Sequence, residues 1–274
     1  VIEQDQRART IGLISFIVPA WNEEAHLPAT LAAIREAARS LDERFEIVVA
    51  NDGSTDRTGE IAEQLADRTV HVHHRQIAAT RNAGAQVAQG DLLIFVDADT
   101  TVTGDLLRAV AEAVRRGAVG GGCYARFDDP VPLWGALAVV LANAYNRLFR
   151  VAYGCFLFCT RAAFDAVGGF DPSLYITEEV AMSQALRRLG RFVVLPQRVV
   201  TSGRKTRGLT LREALPTAFR AVFHGFHSRQ GKELWYEERY KMSARKPNNG
   251  AAPNDGPSTP AAKARVTEKP PSVS

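Results

Sequence analysis

Several acidic stretches in this sequence have the residue types and spacing to do chemistry. In DLLIFVDADTTV (91–102) an apolar run ends on Asp97 and Asp99, one residue apart. Two carboxylates ~4 Å apart repel by roughly 4 kcal/mol at an effective dielectric near 20. A divalent cation is the usual group that offsets such repulsion, because hard cations take carboxylate oxygens. PAWNEE (19–24) and NDGSTD (51–56) also place acids directly after apolar runs, and TEEVAMSQALRRLG (177–190) opens a helical pattern with Glu178 and Glu179. Any one of these also reads as a helix start, where acids favour the N-terminal dipole. Three in succession after strands read as a site.

The elements that must position these residues follow from hydrophobic periodicity. GLISFIVP (12–19) and FEIVVA (45–50) are continuous apolar runs of the kind a buried parallel strand needs, as are TVHVH (69–73) and DLLIFV (91–96). Between them, helical spacing covers 26–40, 57–66, 77–88 and 105–115, with Ser54 or Thr55 placed to cap the second helix. AVGGGCYARF (118–127) closes this half as a strand. Such alternation predicts an α/β fold with a doubly wound, mostly parallel sheet, in which ligands bind at the carboxyl ends of the strands. Beyond it, the pattern predicts helices over 133–148, 178–189 and 211–229, strands over 191–195 and 198–202, and a turn at GGFD (168–171). The apolar run 133–145 is too short to span a bilayer and reads as a buried helix.

Composition narrows the function classes. Hydrophobic residues make up 46% and charged residues 23%, which suits a globular domain. Net charge is +4, yet all six lysines lie at 205 or beyond, and basic and acidic residues nearly balance before that point. A nucleic-acid surface is therefore not expected, while the basic C-terminal region reads as an aid to solubility, with peripheral contact with acidic lipid as the alternative. Cys123, Cys155 and Cys159 sit in apolar contexts, which predicts core thiols in a reducing cytoplasm rather than disulfides or zinc ligands. The N-terminal ten residues are polar, with no secretory signal pattern, and read as an extension. Residues 241–274 are rich in Pro, Gly, Ser and Asn and read as a disordered tail. The expected body is one domain, 11–240, with a nucleotide-binding half (11–125) and an acceptor half (126–240).

Two chemistries use a strand ending in this acid pair. DADTT (97–101) fits the DxDxT pattern of haloacid-dehalogenase-like phosphatases. In those enzymes the motif follows the first strand and a downstream lysine is usual. Here it follows the fourth strand, and no lysine occurs before 205. The other reading gathers more of the chain. PAWNEE, NDGSTD, ATRNAGAQVAQGDLLIFVDADT (79–100), GGFD and the Glu178–Glu179 pair occur in the order that resembles the family 2 glycosyltransferases of the GT-A fold. The resemblance spans roughly 12–200 and implies an inverting transfer of a single hexose-type sugar from a nucleoside-diphosphate sugar to an acceptor hydroxyl. It implies that Pro19, Ala20 and Glu23 line the base and ribose pocket and that Asp52 hydrogen-bonds the base. Asp97 would contact ribose or metal, Asp99 would bind Mg²⁺ or Mn²⁺ at the diphosphate, and Arg81 would lie near the nucleotide. The catalytic base would be Glu179, standing where relatives carry Asp, with Glu178 beside it. Asn51 also departs from the Asp many relatives carry. The processive-synthase signature QxxRW is absent, which favours single transfer. A degenerate sugar-nucleotide binding module is the remaining alternative.

Other candidates carry less. His71 and His73 fall on one strand face with no acid or cysteine at ligand spacing, which reads as a strand-end cluster. His224 and His227 are a further metal-ligand candidate, and RKTRG (204–208) a candidate phosphate-closing loop.

Overall fold

The computed structural model describes residues 10–128, 133–174, 177–203 and 265–268. In chain order the first half contains β1 (Leu13–Ala20), α1 (Leu27–Arg39), β2 (Arg44–Asp52), α2 (Thr58–Leu65), β3 (Arg68–Val72), α3 (Ile77–Val87), β4 (Leu92–Val96), β5 (Thr100–Thr101) and α4 (Gly104–Arg115). There follow β6 (Ala118–Phe127), α5 (Leu133–Phe149), β7 (Phe156–Thr160), α6 (Arg161–Val167), α7 (Glu178–Leu189), β8 (Arg191–Thr201) and β9 (Arg265–Glu268). The strands form one sheet in the order β5-β8-β6-β7-β4-β1-β2-β3-β9. β1 lies parallel to both β2 and β4, β2 to β3, and β6 to β8, as continuous apolar runs demand.

Both faces of the sheet are packed. Ile14, Phe16 and Val18 point into one cluster with α1 and α4, while Ile17, Leu93 and Phe95 point into another with α3, α6 and α7. This is the period of 2 along each strand, with each face taking its own helices. Close approach of α3 depends on Gly84, where a Cβ would come within 2.6 Å of the Ile17 side chain.

Several details depart from expectation. The run containing FLFCT is β7, antiparallel to both β4 and β6, which makes the sheet mixed at its centre. A short helix, α6, follows it and ends on Gly168 and Gly169, both at φ +78°, a left-handed region that suits glycine. The strands expected over 191–195 and 198–202 are one strand, β8, whose register against β6 slips around Pro196, because proline has no N–H to give the ladder. Neither Ser54 nor Thr55 caps α2. Asp56 accepts from the Thr58 amide instead.

The outer part of α5 is not buried, since Val140, Leu141 and Leu148 are more than 60% exposed. The apolar run predicted burial because periodicity does not say which face meets the protein. Four residues of the expected tail, Arg265–Glu268, are β9, antiparallel to β3. Their V-T pattern is that of an edge strand, too short to stand out within a polar stretch. The helix expected at 211–229, His224, His227 and RKTRG lie outside the described residues. No described helix is long and apolar enough to cross a membrane.

Candidate active site

The carboxyl ends of β1, β2 and β4 open onto a common cleft, where an open parallel sheet binds its ligands. Pro19, Ala20, Glu23, Asp52, Asp97 and Asp99 all line it, so six of the sequence-derived positions converge. The loops after β1 and β2 clamp each other. The Asn22 amide donates to Ser54 Oγ at 3.0 Å, the Glu23 amide to Thr58 Oγ1 at 2.8 Å, and the Thr55 amide to Asn22 Oδ1 at 2.8 Å. Asn22 sits at φ +52°, a conformation asparagine tolerates better than most residues. Acids of PAWNEE and NDGSTD add to this clamp, since Asp56 accepts from the Glu24 amide at 3.3 Å and Glu24 from the Arg57 amide at 3.2 Å.

Asp52 has a second task. Its Oδ1 accepts from the amides of His74 and Arg75, and its Oδ2 from the Gln76 amide and Thr80 Oγ1, at 2.6–3.3 Å. A carboxylate offers about four acceptor sites, so any base contact would share an oxygen already in use. What Asp52 visibly does is fix the turn that leads into α3. That turn holds Arg75, at φ +50°, with its guanidinium 4.8 Å from the centre of the Trp21 ring. Trp21 and Arg75 both line the cleft, and neither stood out in the sequence. The stacking joins two loops far apart in the chain, and no local pattern announces it.

Beneath the acid pair lies Arg81, only 2% exposed. It donates to Asp97 Oδ1 at 3.0 Å, to Glu178 Oε1 at 2.9 Å and to the Gly154 carbonyl at 2.7 Å. Its guanidinium also lies 5.3 Å from the centre of the Phe170 ring, which comes from the GGFD turn. Burial opposes its charge, but Asp97, Glu178 and Glu179 outweigh that and raise its pKa. Arg81 is not among the side chains that line the cleft, but it bonds Asp97, which is. It also supplies a built-in counter-charge for one member of the acid pair. Part of the repulsion inferred from the sequence is thus relieved by the fold itself.

Arg81 connects the acid pair to the first turn of α7. Glu178 is buried and committed to the ion pair, whereas Glu179 is half-buried, with its carboxyl close to Gly154. Desolvation and the neighbouring Glu178 push the Glu179 pKa up to about 8, against the opposing pull of Arg81. A carboxyl so tuned takes a proton near neutral pH, the property a general base needs. Asp99 is anchored from the far edge of the sheet, its carbonyl accepting from the Ser202 amide at 3.2 Å. Among the described residues no group of three or more His, Cys, Asp or Glu side chains gathers to hold a metal. His71 instead bonds Asn51 and Glu63, as a strand-end cluster does. Burial raises the pKa of Cys123 and Cys159, so both are unreactive core thiols.

Comparison with known proteins adds to this geometry. The chain is 35% identical over 160 residues to an undecaprenyl-phosphate 4-deoxy-4-formamido-L-arabinose transferase of Pseudomonas paraeruginosa, a match covering 54% of this chain and 46% of that protein. It is 33% identical over 127 residues to the uncharacterized glycosyltransferase EpsJ of Bacillus subtilis, covering 43% and 36%. The chain thus spans about half the length, or less, of these curated relatives. Among solved structures it resembles the mannosyltransferase PcManGT of Pyrobaculum calidifontis, with a TM-score of 0.55 and 21% identity over 83% of this chain and 69% of that one. It also resembles residues 1–349 of S. aureus TarS, with a TM-score of 0.56 and 18% identity over 85% and 75%. At such identities the structural likeness establishes the GT-A type of fold. Residues 15–167, more than half of the chain, match the profile of glycosyl transferase family 2. With that match and the cleft at the strand ends, the chain belongs to glycosyl transferase family 2.

Proposed function

We propose that the chain moves one sugar from a nucleoside-diphosphate donor to an acceptor hydroxyl, with inversion and with a divalent metal at the diphosphate. The observation that carries this reading is the Arg81 bridge, which joins the acid pair of the cleft to a pair of glutamates at the start of α7. A donor site and a proton acceptor are thereby fixed relative to each other. Pro19, Ala20, Trp21 and Glu23 line the base and ribose end, with Asp52 holding the Arg75 turn against them. Residues 11–125 then form the donor half and 126–240 the acceptor half, with cytoplasmic placement and peripheral membrane contact.

The donor set suits Mg²⁺ or Mn²⁺. Such ions bind through one or two carboxylates and complete their shell with phosphate oxygens and water. With one Asp97 oxygen committed to Arg81, Asp99 would be the principal ligand. The metal would supply charge neutralisation for the departing diphosphate. Two related structures point the same way by their contents, GDP-Man with Mn²⁺ in PcManGT and UDP-GlcNAc in TarS.

In the transfer itself the acceptor oxygen forms its bond to the anomeric carbon while the carbon–oxygen bond to the diphosphate breaks. The diphosphate leaves with the electron pair, and the hydroxyl proton passes to the Glu179 carboxylate. Glu178 cannot share that role easily, since it is held by Arg81.

A thermal-shift screen of UDP and GDP with and without Mn²⁺ tests the donor site. A nucleotide at a hundred times its Kd should stabilise the protein by about 2.7 kcal/mol, provided it binds only the folded state. Asp99→Asn should remove the Mn²⁺-dependent part of that shift and abolish transfer while the fold persists. Full transfer by Asp99→Asn would overturn the reading.

A further inference from the structure

Helix α5 faces the wrong way for a protein surrounded by water. It docks on the sheet through polar groups: Asn143 exchanges two 3.2 Å hydrogen bonds with the Ala125 backbone, and Asn146 is only 5% exposed. Turned outward are Val140 at 62%, Leu141 at 61%, Tyr145 at 45%, Leu148 at 76% and Phe149 at 47% exposure. At 100° per residue these five cover about half of the helix circumference. The Tyr145 and Phe149 rings pack with their centres 4.5 Å apart, so the stripe is continuous. Exposed apolar stripes of this kind mark an interaction surface.

The surroundings of the stripe say what kind of partner fits. Arg147, Arg150, Arg187, Arg188 and Arg191 are all exposed on α5, the end of α7 and the start of β8. Arg147, Arg150 and Arg191 line one recess, with Tyr124 and Pro196. No aspartate or glutamate occurs in the sequence from 130 to 164 or from 180 to 203. A partner must therefore offer both an apolar layer and a dense negative charge. A second copy of the chain meets the first need and fails the second, because a two-fold contact would set arginines against arginines.

We propose that the α5 stripe and its arginine rim dock on the surface of an anionic phospholipid bilayer. The apolar side chains enter the headgroup–acyl boundary, and the guanidiniums take lipid phosphate oxygens. Arg187 donates to the Phe149 carbonyl and so ties this surface to α7. The nine steps from Glu179 to Arg188 rise about 13 Å along that helix. If the transfer reading above holds, an acceptor carried in the membrane would thus be presented close to the base.

The test is flotation of the full 274-residue chain with vesicles of phosphatidylcholine alone and with added phosphatidylglycerol. Binding should be at least about tenfold stronger to the anionic vesicles and weaken in high salt. Leu141→Glu with Leu148→Glu should lower it at least about tenfold while the melting temperature and the nucleotide-induced thermal shift are kept. Arg147→Glu with Arg150→Glu should weaken binding to anionic vesicles alone. Equal flotation of the leucine variant and the parent would overturn the proposal. So would an absence of vesicle binding, with or without a dimer in light scattering that the leucine changes break. A lost nucleotide shift with intact flotation would count against the donor reading instead.

Discussion

Glu179 carries the sharpest consequence at the scale of single residues. Its carboxyl is pushed up to about 8, so the transfer rate should rise about tenfold per pH unit below that value and level off above it. Glu179→Gln should keep the nucleotide-induced thermal shift and lose about 10²–10⁴ in turnover, the usual worth of a general base. If Glu178→Gln does this instead, the assignment of the base is wrong. Stability moves the opposite way with pH. The folded state holds the Glu179 proton more tightly than the unfolded chain, so its contribution is full below the ordinary value of 4.5. It declines between the two values and is gone above about 8. The strand-end acids were legible in the sequence because a buried parallel strand must stop where charge begins, as at Val96–Asp97. The burial of Arg81 was not, because TRNAG reads equally well on a solvated helix face. Only the packing of α3 against β1, β2 and β3 decides that its guanidinium points inward, towards Asp97 and Glu178.

Elements show the same division between pattern and packing. Strands β1, β2 and β4 declared themselves by length and apolar content, and α1 and α4 by spacing. The antiparallel insertion of β7 did not, since a run of four apolar residues fits either direction. Nor did the means by which α3 ends. Its last turn has no basic residue and no glycine cap of its own. Arg161, from the start of α6, donates to the carbonyls of Ala85, Ala88 and Gly90 at 2.8–3.3 Å and supplies the missing cap. Arg161→Ala should destabilise the fold by about 1.5–3 kcal/mol, the usual range for hydrogen bonds to a charged group. The midpoint of urea unfolding should fall with an unchanged slope. An unchanged midpoint would show that water replaces the guanidinium without loss.

Across the whole molecule, the two edges of the sheet are finished differently. At one edge β5 contributes two residues, pairing Thr100 with Thr201 and so fixing the segment that holds Asp99. At the other, β9 covers β3, which would otherwise present unpaired N–H and C=O groups. Replacing both Val266 and Thr267 by proline removes one of the two β9 donors that face β3 in either phase of the strand. The variant should melt lower and scatter more light on warming, and unchanged behaviour on both measures would show the covering strand to be dispensable. Exposure on this side reaches the cleft as well, because β3 runs directly into the turn held by Asp52.

The pairing of Arg68 with Glu268 spans 200 positions of sequence, whereas β1, β2, β3 and β4 join partners within the first hundred. Local partners meet first and distant ones last. During synthesis, which runs from the N-terminus, the donor-side strands can be in place while the β3 edge still lies bare. That edge stays open until residues 265–268 have left the ribosome. The nascent chain is therefore most prone to sticking to its neighbours in the interval between finishing its cleft and receiving β9.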